Sequence, residues 1–184
     1  MLLDTLFKRR SIRTFSDAPV SPNKIDYLVT SALLAPSSRN IRPWRFIVID
    51  DRDTITRLAS AKPHGADFLK TAPLAIAVVA ETAASDVWVE DTSIASAVLL
   101  LTADELGLGA CWCQIRKRDH SEIQTADAYV REVLAIPETY SVAAIIGVGY
   151  AETPRPPYQP TELRYNKVSR NAFETPYSAP ERDV

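Results

Sequence analysis

SDVWVEDTSIASAVLLLTADELG, residues 85–107, leads through Leu108 and Gly109 into ACWCQI, residues 110–115. In the first part Val87, Asp91, Ile94, Ala95, Val98, Leu101 and Thr102 recur at helical spacing. Ala97, Leu99 and Leu100 widen that stripe beyond one face. A helix apolar on most sides is buried on most sides. In a chain of 184 residues it is either a central helix or one whose second face meets another subunit. Gly107 stands where a C-cap glycine ends a helix. ACWCQI then reads as a strand. The order is decisive, because the G-x-G of GLGACW follows a helix and opens a strand. A dinucleotide fingerprint needs strand first and helix second, so a Rossmann site is excluded.

The rest of the chain alternates in the same way. LLDTLFKRR (residues 2–10) is a short amphipathic helix with Leu2, Leu3, Leu6 and Phe7 on its apolar side. In SPNKIDYLVTSALLAPSS (residues 21–38) Ser21 caps a helix, Pro22 opens it and Pro36 stops it. RFIVID (45–50) is a strand, DTITRLASA (53–61) a helix, and PLAIAVVAE (73–81) a buried strand. DAYVREVLAI (127–136) is a helix stopped by Pro137, and SVAAIIGVGYA (141–151) a last buried strand. Alternating strands and helices give an α/β or α+β layered fold in one domain. From residue 152 the chain turns proline-rich and irregular. Its aromatics Tyr158, Tyr165 and Phe173 favour an arm wrapped on a partner over disorder, with the last residues expected to lack fixed structure.

Charge and composition exclude several functions. The pI is about 5.7, without the basic footprint of a nucleic-acid binder. The apolar run AVLLL, residues 97–101, is far too short to span a membrane, and the N-terminus has no secretory pattern. A cytoplasmic protein is expected. The two cysteines offer no disulfide framework. Cys111 and Cys113 lie on one side of a strand, and a metal would need two more ligands where only His64 and His120 are available. No nucleophile motif occurs, so an enzyme of this sequence would leave its chemistry to a cofactor.

One feature breaks the even charge pattern. KRRSIRTF, residues 8–15, puts four basic residues within six positions of a chain whose net charge is −2. They are either a solvated C-terminal helical turn or an anion site. Three segments, taken together with this one, resemble the flavin-dependent nitroreductase family. They are RRSIRTF (9–15), APSSRNIRPWRFIVI (35–49) and EDTSIASAVLLLTADELGLGACWCQIRKR (90–118), in that family's order. IIGVGYAETPRPPY (145–158) matches its closing strand and the basic, proline-rich stretch after it. The likeness covers essentially residues 1–175.

The resemblance implies an α+β nitroreductase-like fold with a central mixed β-sheet flanked by helices. It also implies a homodimer with FMN at the interface, and NADH or NADPH as electron donor. The anion is then the FMN phosphate, which arginine and hydroxyl donors bind through short charge-assisted bonds. Carried over by position, Arg9, Arg10, Ser11 and Arg13 match the phosphate and ribityl contacts, and Arg155 a further phosphate cation. Pro36, Ser37, Ser38 and Asn40 match a turn reaching the flavin, commonly from the other subunit. Cys113, Gln114 and Ile115 match the segment whose backbone lies against the ring. No side-chain acid or base is implied. The acceptor would be a small flat molecule, a nitroaromatic or quinone. Dehalogenation or flavin degradation on the same fold, and a non-catalytic binding scaffold, are the alternatives. The chain departs from the family pattern at Arg42, where glutamine is common, and at Pro156–Pro157–Tyr158, where a second basic residue is common.

Overall fold

In a computed structural model, which describes residues 1–178, the strand β2 (Leu74–Glu81) is buried along its whole length except Glu81. Its alternating side chains therefore feed two cores. Ala75, Ala77 and Val79 pack with Ile55, Leu58 and Val130. Leu74, Ile76 and Val78 pack with Leu28, Ala32, Leu99 and Ala103. The elements in chain order are α1 (Leu2–Lys8), α2 (Pro22–Leu33), β1 (Trp44–Ile49), α3 (Arg52–Leu58), β2, α4 (Trp88–Glu105), β3 (Gly109–Gln114), α5 (Ala126–Leu134) and β4 (Tyr140–Gly149). Helices α3 and α5 cover one face of the sheet, and α2 and α4 the other. The expectation for the last residues of the arm falls on 179–184, outside the described residues.

The sheet runs β1-β2-β4-β3 with every neighbouring pair antiparallel. This refines the expected mixed sheet. Strands β2 and β3, joined by the crossover α4, do point the same way, but β4 inserts between them. The parallel contact observed is a single bridge from Ser11 to Ala110. Strand β4 carries one extra residue, Ala143, opposite the step between Val78 and Val79. The carbonyl of Ala143 accepts from both Ile115 N and Arg116 N, at 3.3 and 3.2 Å, which ends the pairing of β3.

Local chemistry sets most boundaries. Asp51 caps α3 by accepting from Thr54 N at 2.8 Å, and Thr125 caps α5 by accepting from Ala128 N at 3.1 Å. Gly107 has φ +70°, and Leu108 N donates to Ala103 O at 2.8 Å, as a glycine C-cap should. Two readings need correction. Ser21 stands at the N-cap of α2, but its side chain makes no capping bond; Pro22 opens the helix unaided. Helix α5 ends not at Pro137 but two residues earlier, where Ala135 turns left-handed.

The apolar faces of two helices also differ from the sequence reading. In α4 the buried residues are Asp91, Thr92, Ala95, Ser96, Leu99 and Ala103, while Ile94 is 41% exposed. Ile94 thus turns away from the sheet, while Val98 of the same stripe is partly buried against Ala35, Trp44 and Ala95. In α1, Thr5 is the buried residue and donates to Glu105 Oε2 at 2.8 Å. Leu2, Leu3 and Leu6 are exposed.

Candidate functional site

Where α1 ends, the chain bends and lies along the outer edge of β3. Gly109 permits this approach, because a Cβ there would come within 2.8 Å of Ile12. Ile12 N donates to Ala110 O at 3.1 Å. The same segment is then zipped to the chain leaving β4. Ser16 N bonds Tyr150 O at 2.9 Å, Glu152 N bonds Thr14 O at 3.1 Å, and Tyr158 N bonds Phe7 O at 2.9 Å. Between these strips lies a cleft of about 350 Å³ whose wall includes Lys8, Arg9, Arg10, Arg155 and Asp104. Four cations thus face one carboxylate. Burial raises the Asp104 pKa above its ordinary value, against the pull of Lys8 and Arg9.

The structure so gathers Arg9, Arg10 and Arg155, which lie at opposite ends of the sequence, into one cationic cleft. Ser11 and Arg13 continue from it along β3. Arg13, Lys62 and Arg9 all act electrostatically on Cys111, so Lys62 joins this field from the loop after α3. Arg10 differs from its neighbours, because it also binds the C-terminal arm. Its Nη1 donates to Pro156 O at 2.6 Å, and its guanidinium lies 4.3 Å from the centre of the Tyr158 ring.

Cys113, Gln114 and Ile115 stand at the far end of β3, about 13 Å from Ala110 by strand rise. The side chains of Cys113 and Ile115 are fully buried in the core. Burial pushes the Cys113 thiol up to about 11 and raises Cys111 as well. Both are free, neutral core thiols, and no group of metal-ligating residues occurs among the described residues. What this end offers is backbone. Ala110 O points out of the sheet, and strand groups alternate, so the N–H and C=O of Trp112 and Gln114 point outward too. The Gln114 side chain is tied down by Trp112 Nε1, which donates to Gln114 Oε1 at 2.9 Å, and by its own donation to Arg116 O at 2.8 Å.

Pro36, Ser37, Ser38 and Asn40 form a turn at the other end of α4. Arg39, Asn40 and Arg42 all have positive φ, between 50 and 55°. Three such non-glycine residues in four positions are strained, and strain of this kind collects at functional sites. Asp91 holds the turn. It is 2% exposed, accepts Ser38 N at 2.8 Å and accepts the Ser85 hydroxyl at 3.1 Å. Ser37 Oγ accepts Arg42 N at 3.0 Å, and Asn40 Oδ1 accepts Arg42 Nε at 2.8 Å. Asp91 and Asp104 are thirteen positions apart on one helix, about 20 Å by helical rise. One chain therefore does not bring this turn to the arginine cleft. Trp44 is core, packed with Ala35 and Ala95.

The sequence reading missed Asp91 as an anchor, although a carboxylate inside an apolar stripe is a readable sign. It also missed Lys62 and the Arg10–Tyr158 contact, which no local pattern marks.

A profile of the nitroreductase family matches residues 6–62 and 59–150. The chain belongs to the nitroreductase family. Within the family, an FMN-dependent nitroreductase from Clostridium difficile superimposes with a TM-score of 0.92 at 45% identity, over 93% of this chain and 99% of that one. A curated relative from Archaeoglobus fulgidus, provisionally named an NADH dehydrogenase/NAD(P)H nitroreductase, is 36% identical over 89% of this chain and 92% of its own length. An iodotyrosine deiodinase from Thermotoga neapolitana is 26% identical over 90% of this chain and 98% of its own.

Proposed function

We propose that this nitroreductase-family chain is an FMN-dependent oxidoreductase that takes hydride from NADH or NADPH and reduces a small flat acceptor, a nitroaromatic or a quinone. The observation that carries the reading is the cationic cleft continued, beyond Ala110, by the outward backbone of Trp112 and Gln114 at the edge of β3. Arginine, lysine and hydroxyl donors suit a phosphate, and the outward backbone of Gln114 suits the polar rim of a flat ring. Bound FMN supplies what these side chains lack, the reversible uptake of two electrons with a hydride. Arg9, Arg10, Ser11, Arg13 and Arg155 hold its phosphate end. Arg13 and Lys62 keep fixed positive charge beside β3, where it favours the anionic, reduced form of a ligand. No side chain is asked to act as acid or base. His120 is tied at Nδ1 to Ser60 O, 2.9 Å away, and stacked on Tyr129.

The reading includes a homodimer in a cytoplasmic setting, whose reducing conditions suit two free thiols. No helix among the described residues is long and apolar enough to cross a membrane. Leu2, Leu3, Leu6 and Ile94 are exposed on the body, and a second copy would cover such surface. The arm from residue 151 onward is fastened to its own chain as far as Tyr158; beyond that it is exposed over almost all its described length and would wrap that copy, as part of a single domain covering residues 1–175. The turn Pro36–Ser37–Ser38–Asn40 of one chain would then complete the site begun by Arg9 and Arg13 of the other.

The reading predicts a yellow protein that releases about one FMN per chain on denaturation and is bleached by NAD(P)H alone. If donor and acceptor use one pocket in turn, plots against NAD(P)H at several acceptor concentrations are parallel. Intersecting lines, with no bleaching by NAD(P)H alone, sink this mechanism. The deiodinase relative favours dehalogenation as the second reading; turnover of halophenols but not nitroarenes would select it.

Sharing of the site between chains has its own expected result. A variant damaged at Arg9 and Arg13 and one damaged at Ser38 and Asn40 each bind FMN poorly. Unfolded and refolded together they form mixed dimers, each with one intact and one doubly damaged site. With random pairing about half the dimers are mixed, so roughly a quarter of all sites regain flavin. If tagged chains show mixed dimers by mass spectrometry and no sites return, each chain binds its flavin alone.

A further inference from the structure

We infer that Tyr158 and Arg10 form a latch that positions Arg155 in the cationic cleft, so that docking of the C-terminal arm and recognition of the ligand's phosphate are one coupled event. The inference rests on the phosphate reading of that cleft. It starts from a difference between adjacent arginines. Arg10 lines the cleft, but one of its Nη donors is committed to Pro156 O at 2.6 Å and its planar face to the Tyr158 ring at 4.3 Å. An arginine held by stacking and a carbonyl is fixed in place, because its fork geometry leaves little freedom once two sides are engaged. A third bond, Tyr158 N to Phe7 O at 2.9 Å, ties the same arm residue to the end of α1.

Arg155 sits between Pro154 and Pro156, with Pro157 following. Each proline fixes its own φ and restricts the residue before it. Residues 154–157 are therefore a stiff strut, anchored below by Glu152 N to Thr14 O at 3.1 Å and above by Tyr158. Among the described residues no hydrogen bond or ion pair holds Arg155. Its place on the cleft wall comes from the two anchors of the strut. Tyr158 is thus a positioning residue that acts through Arg155, with Arg10 as the other half of its clasp.

Two readouts separate this role from a merely structural one. Arg155→Ala lowers FMN affinity by about ten- to a hundredfold, the loss of one charge-assisted bond, and leaves riboflavin affinity unchanged. Tyr158→Ala lowers FMN affinity by roughly tenfold, also without effect on riboflavin. Tyr158→Phe, which keeps ring and backbone N–H, restores the wild-type value. Added to Arg155→Ala, Tyr158→Ala costs clearly less than it does alone, because the residue it positions is gone and only its hold on Arg10 is left to lose. Coupling is reciprocal, so FMN, but not riboflavin, slows amide exchange at Tyr158. Prolines at 154, 156 and 157 leave only Arg155 and Tyr158 to report from this stretch.

Equal losses for FMN and riboflavin in Arg155→Ala would overturn the phosphate reading, and the latch with it. A phosphate-selective loss in Arg155→Ala, with Tyr158→Ala silent or at its full single-variant cost on top of it, would overturn the latch alone.

Discussion

Replacing Arg9 and Arg13 together with alanine lowers FMN affinity by about two to four orders of magnitude, at about 1.5–3 kcal/mol for each charge-assisted bond lost. Riboflavin, which lacks the phosphate, loses far less. Arg9 is half-buried on the cleft wall and Arg13 is exposed beside β3, so neither deletion opens a cavity in the core. The variant keeps its circular dichroism spectrum and its melting temperature without ligand. Titration of both ligands into the flavin-free protein checks this. Equal weakening for both would mean that the arginines support the fold of the site and do not read a phosphate.

Asp91→Ala carries the largest expected cost in stability. It leaves the half-buried Ser38 N–H and the buried Ser85 hydroxyl without their acceptor. Two bonds to a charged group amount to about 3 kcal/mol after relaxation, which lowers the melting temperature by roughly 6–12 °C in a chain of this size. The turn it holds contains the strained Arg39, Asn40 and Arg42. Released, these residues relax toward ordinary φ, and flavin occupancy falls with them. Asp91→Asn keeps one oxygen for Ser38 N–H and recovers about half of the lost stability. A melt of Asp91→Ala indistinguishable from wild type would show that the turn supports itself.

Much of this architecture was legible from residue order. The runs of β2 and β4 announce themselves as buried strands, and Gly107 marks the end of α4 where it falls. The orientation of α4 was not legible. Its residues are apolar nearly all round, so spacing could not say whether Ile94 or Leu99 faces the sheet. Packing chose the smaller set, with Ala95, Ser96 and Ala103 letting the helix sit close. The antiparallel order was hidden for another reason: alternating elements suggest parallel neighbours, and nothing local shows β4 inserting between β2 and β3. At the candidate site, the family pattern named Arg9, Arg10 and Arg155, which the fold places on the wall of one cleft. It could not show that Arg10 also grips the arm, because that contact joins residues 146 positions apart.

That separation bears on how the protein comes to exist. The cleft is lined by residues 8–12 from the beginning of the chain and 150–155 from near its end, fastened by the bonds from Ser16, Glu152 and Tyr158. On the ribosome the first strip emerges early and waits, its arginines facing water, while most of the sheet is still being made. A nascent chain halted before residue 150 has the residues of α4 and β3 but lacks one wall of the cleft. On the phosphate reading of the cleft, capture of the ligand therefore waits until β4 and the segment after it have been made and docked.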